Sequence, residues 1–525
     1  MTQLLPRLVS EQAKLTPQAT ALVCKDRSVT YRQLQDSIAA VAAGLLQCGL
    51  GRGERVAVFL PKVPETVFGF FGAGLSGNVF VPVNPVLKPQ QVSYILKDCQ
   101  VKVLITSSVR LKPLAESLRN CPDLLAVVVV EDTVPDIDGL NVIAWPDFVG
   151  QGQDVPPCPS IDADVAAIFY TSGSTGNPKG VVLSHRNMVC GAHSVASYLH
   201  NTADDKLLAV LPFSFDYGFS QLSTAFSVGA TVVLMDYLLP RDVIKAVVRE
   251  GITGLAAVPP LWNQLAPLDW PEQARKTLRY ITNSGGAMPR ATTRRLRECL
   301  PDTQVYLMYG LTEAFRSTYL PPEELDNRPD SMGKAIPNAE VMVVRPDGSL
   351  CDDDEPGELV HRGSLVALGY WNDPVKTAER FKPTPGRESG LVLEELAVWS
   401  GDQVRRDSEG YLYFISRMDD MIKTSGYRVS PSEVEEALYE LPTLAEVAAM
   451  GLSHPMLGQA IAVVATGEGL TEDMLIKHCR KQLPSYMVPQ RVFIIDDMPH
   501  NQNGKIDRKL LSTRYQDLFK EPSSE

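Results

Sequence analysis

The sequence has no long apolar segment, no paired cysteine motif and no excess of basic residues, and each absence disfavours a class of protein. Its longest apolar runs, such as residues 124–130 and 231–235, are far shorter than the ~20 residues of a membrane helix. Its nine cysteines are scattered without a C-x-x-C pair, which argues against a disulfide framework or a structural zinc site. With 50 Lys and Arg against 62 Asp and Glu, the net charge of −12 disfavours a dedicated nucleic-acid-binding protein.

The composition that is present is typical of a packed globular protein. Hydrophobic residues make up 44 % and charged residues 21 % of the 525 residues, which excludes disorder as the main state. At about 100–200 residues per domain, this length predicts two or more domains. Pro6, Arg7 and Glu11 interrupt the N-terminal segment where a signal peptide would have its apolar core. These features predict a cytoplasmic protein without membrane insertion.

Short β-branched segments alternate with helical patterns over the first half of the chain. This alternation predicts an α/β architecture with largely parallel sheets. A smaller antiparallel β unit is predicted from residues 340–344, 357–362 and 411–414, which are separated by turn signals. The strands predicted for the α/β part are residues 55–60, 79–83, 101–105, 124–130, 206–211, 231–235 and 254–258, with a helix at 64–73.

The last hundred residues form a separate pattern. The sequence S-P-S-E at residues 430–433 predicts a helix start, with Ser430 as the N-cap and a proline in the first turn. Two strands are predicted at residues 460–465 and 491–495, with a helix between them. The pattern indicates a compact α+β unit that begins near residues 415–420.

The most informative segment is FYTSGSTGNPKG at residues 169–180. Its glycines allow close approach of the backbone, its amides and hydroxyls donate to phosphate oxygens, and Lys179 supplies positive charge. The spacing differs from that of a P-loop, because Pro178 precedes the lysine and a strand-like segment follows. The segment therefore predicts a loop that binds a polyphosphate.

This loop resembles the signature loop of the adenylate-forming (ANL) superfamily, which includes acyl-CoA synthetases, amino-acid adenylation domains and firefly-type luciferases. The resemblance implies an α/β fold: a large N-terminal adenylation domain (1–416) of two αβ-layered sheets plus a small β-barrel-like subdomain. A hinge (417–420) and a small mobile α+β C-terminal lid domain (421–525) would follow. Seven further motifs match in the family's order: NSGGA at 283–287, YGLTE at 309–313, GELVHRG at 357–363 with GYW at 369–371, SGD at 400–402, RMDD at 417–420, KTSGYRVSP at 423–431 and NGKIDRK at 503–509.

The resemblance implies a reaction in two steps. A carboxylate attacks the α-phosphate of ATP to give an acyl-AMP and pyrophosphate, and a thiol then displaces AMP to give a thioester. The implied cofactors are ATP and Mg²⁺, and the implied partners are a small or medium carboxylic acid and CoA or the phosphopantetheine of an acyl carrier protein. Because the first step joins two anions, cations near the α-phosphate matter most for its barrier.

The matching motifs also imply roles for individual residues. Lys505 would bridge the substrate carboxylate and the phosphate, Thr312 would donate to the α-phosphate, and Glu313 would hold Mg²⁺. Asp402 would accept the ribose hydroxyls, and Arg417 would add a ribose or phosphate contact. The other implied nucleotide-binding residues are Thr171, Ser172, Gly173, Ser174, Thr175, Gly176, Lys179, Gly285, Gly286, Ala287, Tyr309 and Gly310. The implied residues of the hinge and the thiol side are Asp419, Gly426 and Arg428.

The acid pocket is implied around residues 212–219 and 309–317, with Phe215, Asp216, Tyr217, Met308 and Arg316 as its candidate residues. Acyl-CoA synthetases commonly carry histidine at the place of Phe215. The pair Phe215-Asp216 instead resembles amino-acid adenylation domains, in which the aspartate pairs with the substrate ammonium. A buried carboxylate requires a partner. A substrate amine, Arg316 and a backbone amide all stay open as that partner.

Two ligase functions stay open as well. An AMP-forming acyl-CoA ligase is favoured, because Leu311 replaces the proline of most peptide-synthetase domains and the loop 423–431 resembles that of acyl-CoA synthetases. The alternative is a free-standing amino-acid adenylating enzyme that loads a carrier protein in trans. A luciferase-like monooxygenase is disfavoured by the acidic hinge and by the complete motifs for the thioester step. A non-catalytic paralogue is disfavoured, since every motif lysine, glutamate and aspartate is present. A homodimer is the default for soluble enzymes, and no sequence pattern supports it.

Overall fold

The computed structural model describes residues 4–519 with short gaps. The residues outside the description are 1–3, 136, 151–154, 157, 172–177, 387–389, 391, 418–419, 425–426, 455 and 520–525.

Strands and helices alternate through the first 260 residues. The strands there are β1 (Thr20–Cys24), β2 (Arg27–Thr30), β3 (Arg55–Val58), β4 (Val79–Pro82), β5 (Val101–Thr106), β6 (Ala126–Val129), β7 (Val142–Ala144), β8 (Val165–Thr171), β9 (Lys179–Ser184), β10 (Lys206–Ala209), β11 (Thr231–Leu234) and β12 (Gly254–Ala257). The helices are α1 (Arg7–Leu15), α2 (Tyr31–Gln47), α3 (Pro64–Leu75), α4 (Pro89–Asp98), α5 (Ser108–Leu118), α6 (Trp145–Val149), α7 (His185–Tyr198), α8 (Asp216–Val228), α9 (Pro240–Glu250) and α10 (Pro259–Leu265).

Strands predominate over the next 160 residues. They are β13 (Tyr280–Asn283), β14 (Gln304–Tyr309), β15 (Thr318–Leu320), β16 (Ser331–Ala335), β17 (Ala339–Val344), β18 (Gly357–Gly363), β19 (Phe381–Pro383), β20 (Leu396–Arg406) and β21 (Leu412–Arg417). The helices of this part are α11 (Glu272–Thr277), α12 (Arg290–Cys299) and α13 (Pro374–Arg380), with 3₁₀ turns at Thr312–Ala314 and Pro322–Glu324.

The C-terminal unit is smaller and mixes both element types. Its strands are β22 (Ile422–Thr424), β23 (Tyr427–Val429), β24 (Leu444–His454), β25 (Gly458–Gly467) and β26 (Arg491–Ile494). Its helices are α14 (Pro431–Tyr439), α15 (Glu472–Gln482) and α16 (Arg508–Tyr515), with a 3₁₀ turn at Ser485–Met487.

The described strands form three sheets. The first has the order β7-β6-β5-β3-β4-β8-β9 and is parallel except for the hairpin β8–β9. The second has 14 strands in the order β17-β18-β20-β21-β16-β15-β14-β13-β12-β10-β11-β1-β2, with β19 on β20. It is parallel from β1 to β14, and β15 joins this part to the antiparallel unit β16–β21. The third sheet, of five strands, belongs to the C-terminal unit.

This arrangement confirms the predicted α/β class with a large unit and a smaller α+β unit. Every strand predicted for the α/β part is present, although most end one or two residues earlier than predicted. The strand interiors are buried, as all four residues of β6, β11 and β12 show. All nine cysteines lie within the described residues and are free. Within those residues, no helix has the length and apolar composition needed to cross a membrane.

Two details of the C-terminal unit differ from the sequence prediction. Helix α14 begins where predicted, but the Ser430 side chain does not cap it. Its hydroxyl donates instead to the Ile415 carbonyl at 2.5 Å, which ties the start of the helix to the end of β21. The prediction also missed β24, whose sequence LAEVAAMGLSH has few β-branched residues and is stabilised by ten paired positions along β25.

Candidate active site

Lys505 lies on a tight loop of the C-terminal unit that contacts the large unit. Asn501 shapes this loop, because its Oδ1 accepts from the backbone amides of Asn503 and Lys505. From the large unit, the Asn84 Nδ2 donates to the Gln502 carbonyl at 2.7 Å. The loop is therefore fixed to both units, and the lysine side chain is directed toward the large one.

The Lys505 side chain fits against a turn that has no room for a larger residue. A Cβ atom added at Gly285 would lie 2.7 Å from the Lys505 Cε, and Gly285 has a φ of +83° that disfavours any other residue. The ammonium lies 5.0 Å from the centre of the Phe215 ring, a cation–π contact. Lys505 thus contacts both the predicted adenine turn and the predicted acid pocket.

Burial between the two units is the main reason why the pKa of Lys505 is lowered to about 8, while Asp216 acts in the opposite direction. Asp402, Arg417 and Arg316 are also close enough to influence this pKa. The structure therefore brings together predicted residues from the nucleotide side and from the acid side around one lysine.

Asp216 and Arg316 form a buried ion pair, with side chains 4 % and 2 % exposed. The Arg316 Nη1 donates to the Asp216 Oδ2 at 2.8 Å, and the Thr312 hydroxyl donates to the Asp216 Oδ1 at 2.9 Å. Of the three open partners for Asp216, the structure shows Arg316, with Thr312 as a second contact. Both carboxylate oxygens therefore have donors before any substrate is considered.

Arg316 is placed by a strained turn. Phe315, fully buried, has a φ of +54°, a region that bulky side chains rarely adopt. Its carbonyl accepts a second hydrogen bond from the Arg316 Nη1, at 2.9 Å. Next along the chain, the Ser317 hydroxyl contacts the His361 Nδ1 at 2.8 Å, and burial lowers the pKa of His361 to about 3, so the ring is neutral. Strain of this kind, held by buried neighbours, is typical of functional sites.

A small cavity lies beside this ion pair, between α7, α8 and the strands β10, β13 and β14. Its volume of about 10 Å³ is close to that needed for one water molecule. Tyr217 and Thr282 bond to each other at 2.5 Å on its wall. The cavity is lined by Val195, Leu199, Leu207, Tyr217, Ser220, Gln221, Thr224, Tyr280, Thr282, Met308 and Arg316.

On the nucleotide side, Asp402 is buried and has one oxygen available. Tyr309 donates its hydroxyl to the Asp402 Oδ2, whereas the Oδ1 has no hydrogen-bond donor among the described residues. The Arg417 Nε lies 3.3 Å from that Oδ1 but outside hydrogen-bond geometry. Burial raises the pKa of Asp402, and Arg417 opposes this effect. A buried acceptor without a donor fits a ligand hydroxyl.

Glu313 and Lys179 lie near Tyr370. The Tyr370 hydroxyl donates to the Glu313 Oε1 at 2.7 Å, and the Lys179 ammonium lies 5.2 Å from the Tyr370 ring centre. Burial lowers the pKa of Lys179, and the nearby positive charges of Lys376 and Arg380 lower it further. Such a concentration of like charges fits a polyanionic ligand.

Sequence reasoning missed Tyr370 as a contact of Glu313, and it missed Arg380. Arg380 lies so close to the turn before Asp402 that a Cβ on Gly401 would clash with its Nη1. The sequence contains no signal for Arg380, because it lies at the end of α13, more than 60 residues after Glu313, and no motif includes it.

The remaining predicted residues divide into described and undescribed ones. Thr171 ends β8, Gly310 follows β14 close to Arg316, and Gly286 and Ala287 follow β13, where the Asn283 amide donates to the Gly286 carbonyl. Arg428 lies in β23. The predictions that fall outside the described residues are Ser172, Gly173, Ser174, Thr175, Gly176, Asp419 and Gly426.

Glu313 is an acidic side chain near Lys179 whose second oxygen is not bonded by Tyr370. In the part of the chain that the structure describes, no three His, Cys, Asp or Glu side chains cluster as a metal site. One carboxylate is sufficient for Mg²⁺ when phosphate oxygens and water supply the other ligands.

Comparisons with known proteins agree over nearly the whole chain. The family model described as "AMP-binding enzyme" matches residues 9–371, and "AMP-binding enzyme C-terminal domain" matches residues 433–505. The crystal structure of the anthranilate CoA ligase AuaEII with anthranoyl-AMP superposes with a TM-score of 0.87 at 25 % identity, covering 98 % of both chains.

Two curated relatives show the range of the similarity. The L-proline–[L-prolyl-carrier protein] ligase of Streptomyces coelicolor is 34 % identical and covers 97 % of this chain and 95 % of its own. A linear gramicidin synthase of Brevibacillus parabrevis is 31 % identical over 95 % of this chain, which spans only 6 % of that protein's length.

Proposed function

Because this chain belongs to the AMP-binding enzyme family of the adenylate-forming superfamily, we propose that it activates a small carboxylic acid with ATP and passes the acyl group to a thiol. It is an AMP-forming acid–thiol ligase, with CoA or a phosphopantetheine arm as the acceptor. We assign it to the cytoplasm as part of this proposal. The observation that carries the proposal is the position of Lys505 between the Gly285 turn and Phe215.

The described residues suit the first step. The Lys505 ammonium lies where a carboxylate from the acid pocket would meet the nucleotide, and its charge offsets the repulsion between the two anions. Thr312 donates its one hydroxyl proton to Asp216 in this structure, so donation to the α-phosphate would require that hydrogen bond to break. The free Oδ1 of Asp402 would accept a ribose hydroxyl, and Lys179 would contact the terminal phosphates.

Glu313 would hold Mg²⁺ together with the phosphates, and its second oxygen is available because Tyr370 donates only to the Oε1. When bound, the ion would neutralise part of the negative charge of the phosphates.

The decisive test separates the two half-reactions. We expect Lys505→Ala to abolish acid-dependent ATP–pyrophosphate exchange while thioester formation from supplied acyl-AMP persists. Lys477→Ala, on the exposed face of α15, is the matched control and should retain both activities. Loss of both half-reactions in Lys505→Ala, with normal thermal unfolding, would contradict the role of Lys505.

A second candidate is loading of a carrier protein instead of CoA. The 34 % identical L-proline–[L-prolyl-carrier protein] ligase, matched over 95 % of its length, supports it. A direct competition between CoA and a panel of phosphopantetheinylated carrier proteins for the same acyl-AMP would distinguish the two acceptors. Transfer to a carrier at least tenfold faster than to CoA would favour this second function.

A further inference from the structure

Arg316 has more hydrogen-bonding capacity than its neighbours use. Its Nη1 bonds to Asp216 and to the Phe315 carbonyl, but its Nε and Nη2 are buried and have no acceptor among the described residues. An unpaired donor on a buried guanidinium is costly, so such groups normally meet an acceptor. Arg316 also lines the small cavity beside the ion pair, and its guanidinium lies 4.8 Å from the centre of the Tyr217 ring.

A second polar group lining the same cavity is also unpaired. Thr224 is 2 % exposed, and its Oγ1 has no partner in the described part of the chain. Thr224 belongs to α8, whereas Arg316 follows β14, so the two groups come from different elements and converge on one space. Two independent unsatisfied groups therefore border a cavity that adjoins the Lys505 site.

The charge balance of the cavity restricts the ligand. Asp216 already neutralises Arg316, and both Asp216 oxygens have donors. A substrate ammonium would face the positive charge and the unpaired N–H groups of the guanidinium, while the charge of Asp216 is already neutralised by Arg316. A hydrocarbon chain would leave those N–H groups unsatisfied. A neutral oxygen acceptor, by contrast, would accept from Arg316 and bond to the Thr224 hydroxyl.

We infer that Arg316 and Thr224 recognise an oxygen on the acyl part of the substrate, so the acid is a short hydroxy or oxo acid. This inference rests on the proposed function, because it takes the cavity to be the acyl end of the acid site. It assigns the Asp216–Arg316 pair to specificity for an oxygen acceptor instead of an amine.

The test uses inhibitors that bind without turnover. Acyl-sulfamoyl adenosines carrying butanoyl, hydroxybutanoyl, oxobutanoyl or aminobutanoyl groups, substituted at carbon 2, 3 or 4, are titrated by calorimetry into the full-length protein. For at least one position, we expect the hydroxy or oxo compound to bind roughly 10- to 100-fold more tightly than the butanoyl compound. Equal Kd values, or tightest binding of an amino compound, would overturn the inference.

Two variants assign the preference to these residues. Thr224→Val keeps the shape of the side chain and should reduce the preference for oxygen about tenfold. The double variant Asp216→Leu/Arg316→Met removes both charges without leaving one unpaired, and it should abolish the preference. Ser227→Ala, one turn along α8 and outside the cavity lining, should retain it. An undiminished preference in both Thr224→Val and the folded double variant would refute the assignment.

ATP–pyrophosphate exchange with the corresponding free acids, run in parallel, separates the two proposals. Exchange with every acid at the same rate contradicts the inference and supports the proposed function. An oxygen preference in calorimetry without exchange by any acid supports the inference and contradicts the proposed function.

Discussion

At the scale of single residues, burial of Lys505 disfavours the charged form that the proposed chemistry needs. Its pKa is lowered to about 8 by desolvation between the units, but the proposed role requires the ammonium form. Deprotonation above this pKa removes the charge, so we expect kcat/KM for ATP–pyrophosphate exchange to fall tenfold per unit above about pH 8. Lys505→Arg stays charged and should show no such fall, at a lower maximal rate. Profiles of kcat/KM against pH for the two proteins check this expectation. The same fall above pH 8 in the wild type and in Lys505→Arg would contradict the assignment.

Arg380 is the residue that we expect to bind the nucleotide although no motif marks it. Its charge lowers the pKa of Asp402 and of Lys179, which places it between the predicted ribose and phosphate contacts. We expect Arg380→Gln to weaken ATP binding about tenfold or more, the usual effect of losing a charged hydrogen bond. Calorimetry with ATP measures this effect. Lys382→Gln, in the adjacent strand β19, is the control, and equal losses in the two variants would contradict the prediction.

At the scale of elements, the turn after β13 determines whether Lys505 reaches its place. Gly285→Ala puts a methyl group 2.7 Å from the Lys505 Cε at a positive φ, so we expect at least a 100-fold loss of exchange activity. Thioester formation from supplied acyl-AMP should persist. Gly286→Ala, whose nearest neighbour is Pro259 at 3.1 Å, should have a much smaller effect. Comparable losses in the two variants would indicate general damage to the turn.

The elements themselves were mostly predictable, since buried parallel strands are short runs of β-branched residues between turn signals. The strand ends were not, because residues such as Phe59 and Val83 still donate one amide to the neighbouring strand, at the Ile105 and Val58 carbonyls, although the paired ladder ends one residue earlier. Strand β24 was missed because its alanines carry no β signal, and pairing with β25 decides its conformation. The Ser430 hydroxyl could not be placed, since its acceptor is the distant Ile415 carbonyl.

The site was predictable as a set of motifs but not as a set of contacts. Eight motifs pointed to one nucleotide site, and the structure shows Gly285, Asp402 and Arg417 from three of them near Lys505. The partner of Asp216 stayed open, because 100 residues separate it from Arg316 and only the turn at Phe315 brings the guanidinium inward. Arg380 could not be found at all, since its position depends on how α13 packs.

At the scale of the whole molecule, a few hydrogen bonds connect the two units in this arrangement. The Arg290 amide donates to the Glu436 Oε1 at 3.0 Å, and the Asn84 Nδ2 donates to the Gln502 carbonyl at 2.7 Å. Because Asn84 holds the loop of Lys505, we expect Asn84→Ala to slow exchange roughly 3- to 10-fold. Acyl transfer from supplied acyl-AMP should not change. Asn141→Ala, remote from the interface, is the control, and a loss of acyl transfer in Asn84→Ala would contradict this view.

The 14-stranded sheet has a consequence for engineering. Asp402 in β20 and Tyr309 in β14 are separated in the sheet by the strands β21, β16 and β15. The Tyr309 hydroxyl nevertheless donates directly to the Asp402 carboxylate. The sheet therefore curls so that β20 meets β14, the strand that also lines the acid cavity through Met308. Thr224 and Gln221 lie on a helix outside this sheet. A designer can thus vary the α8 side of the cavity at Thr224 and Gln221 to change the acid that is accepted, without altering the strands that carry Tyr309 and Asp402.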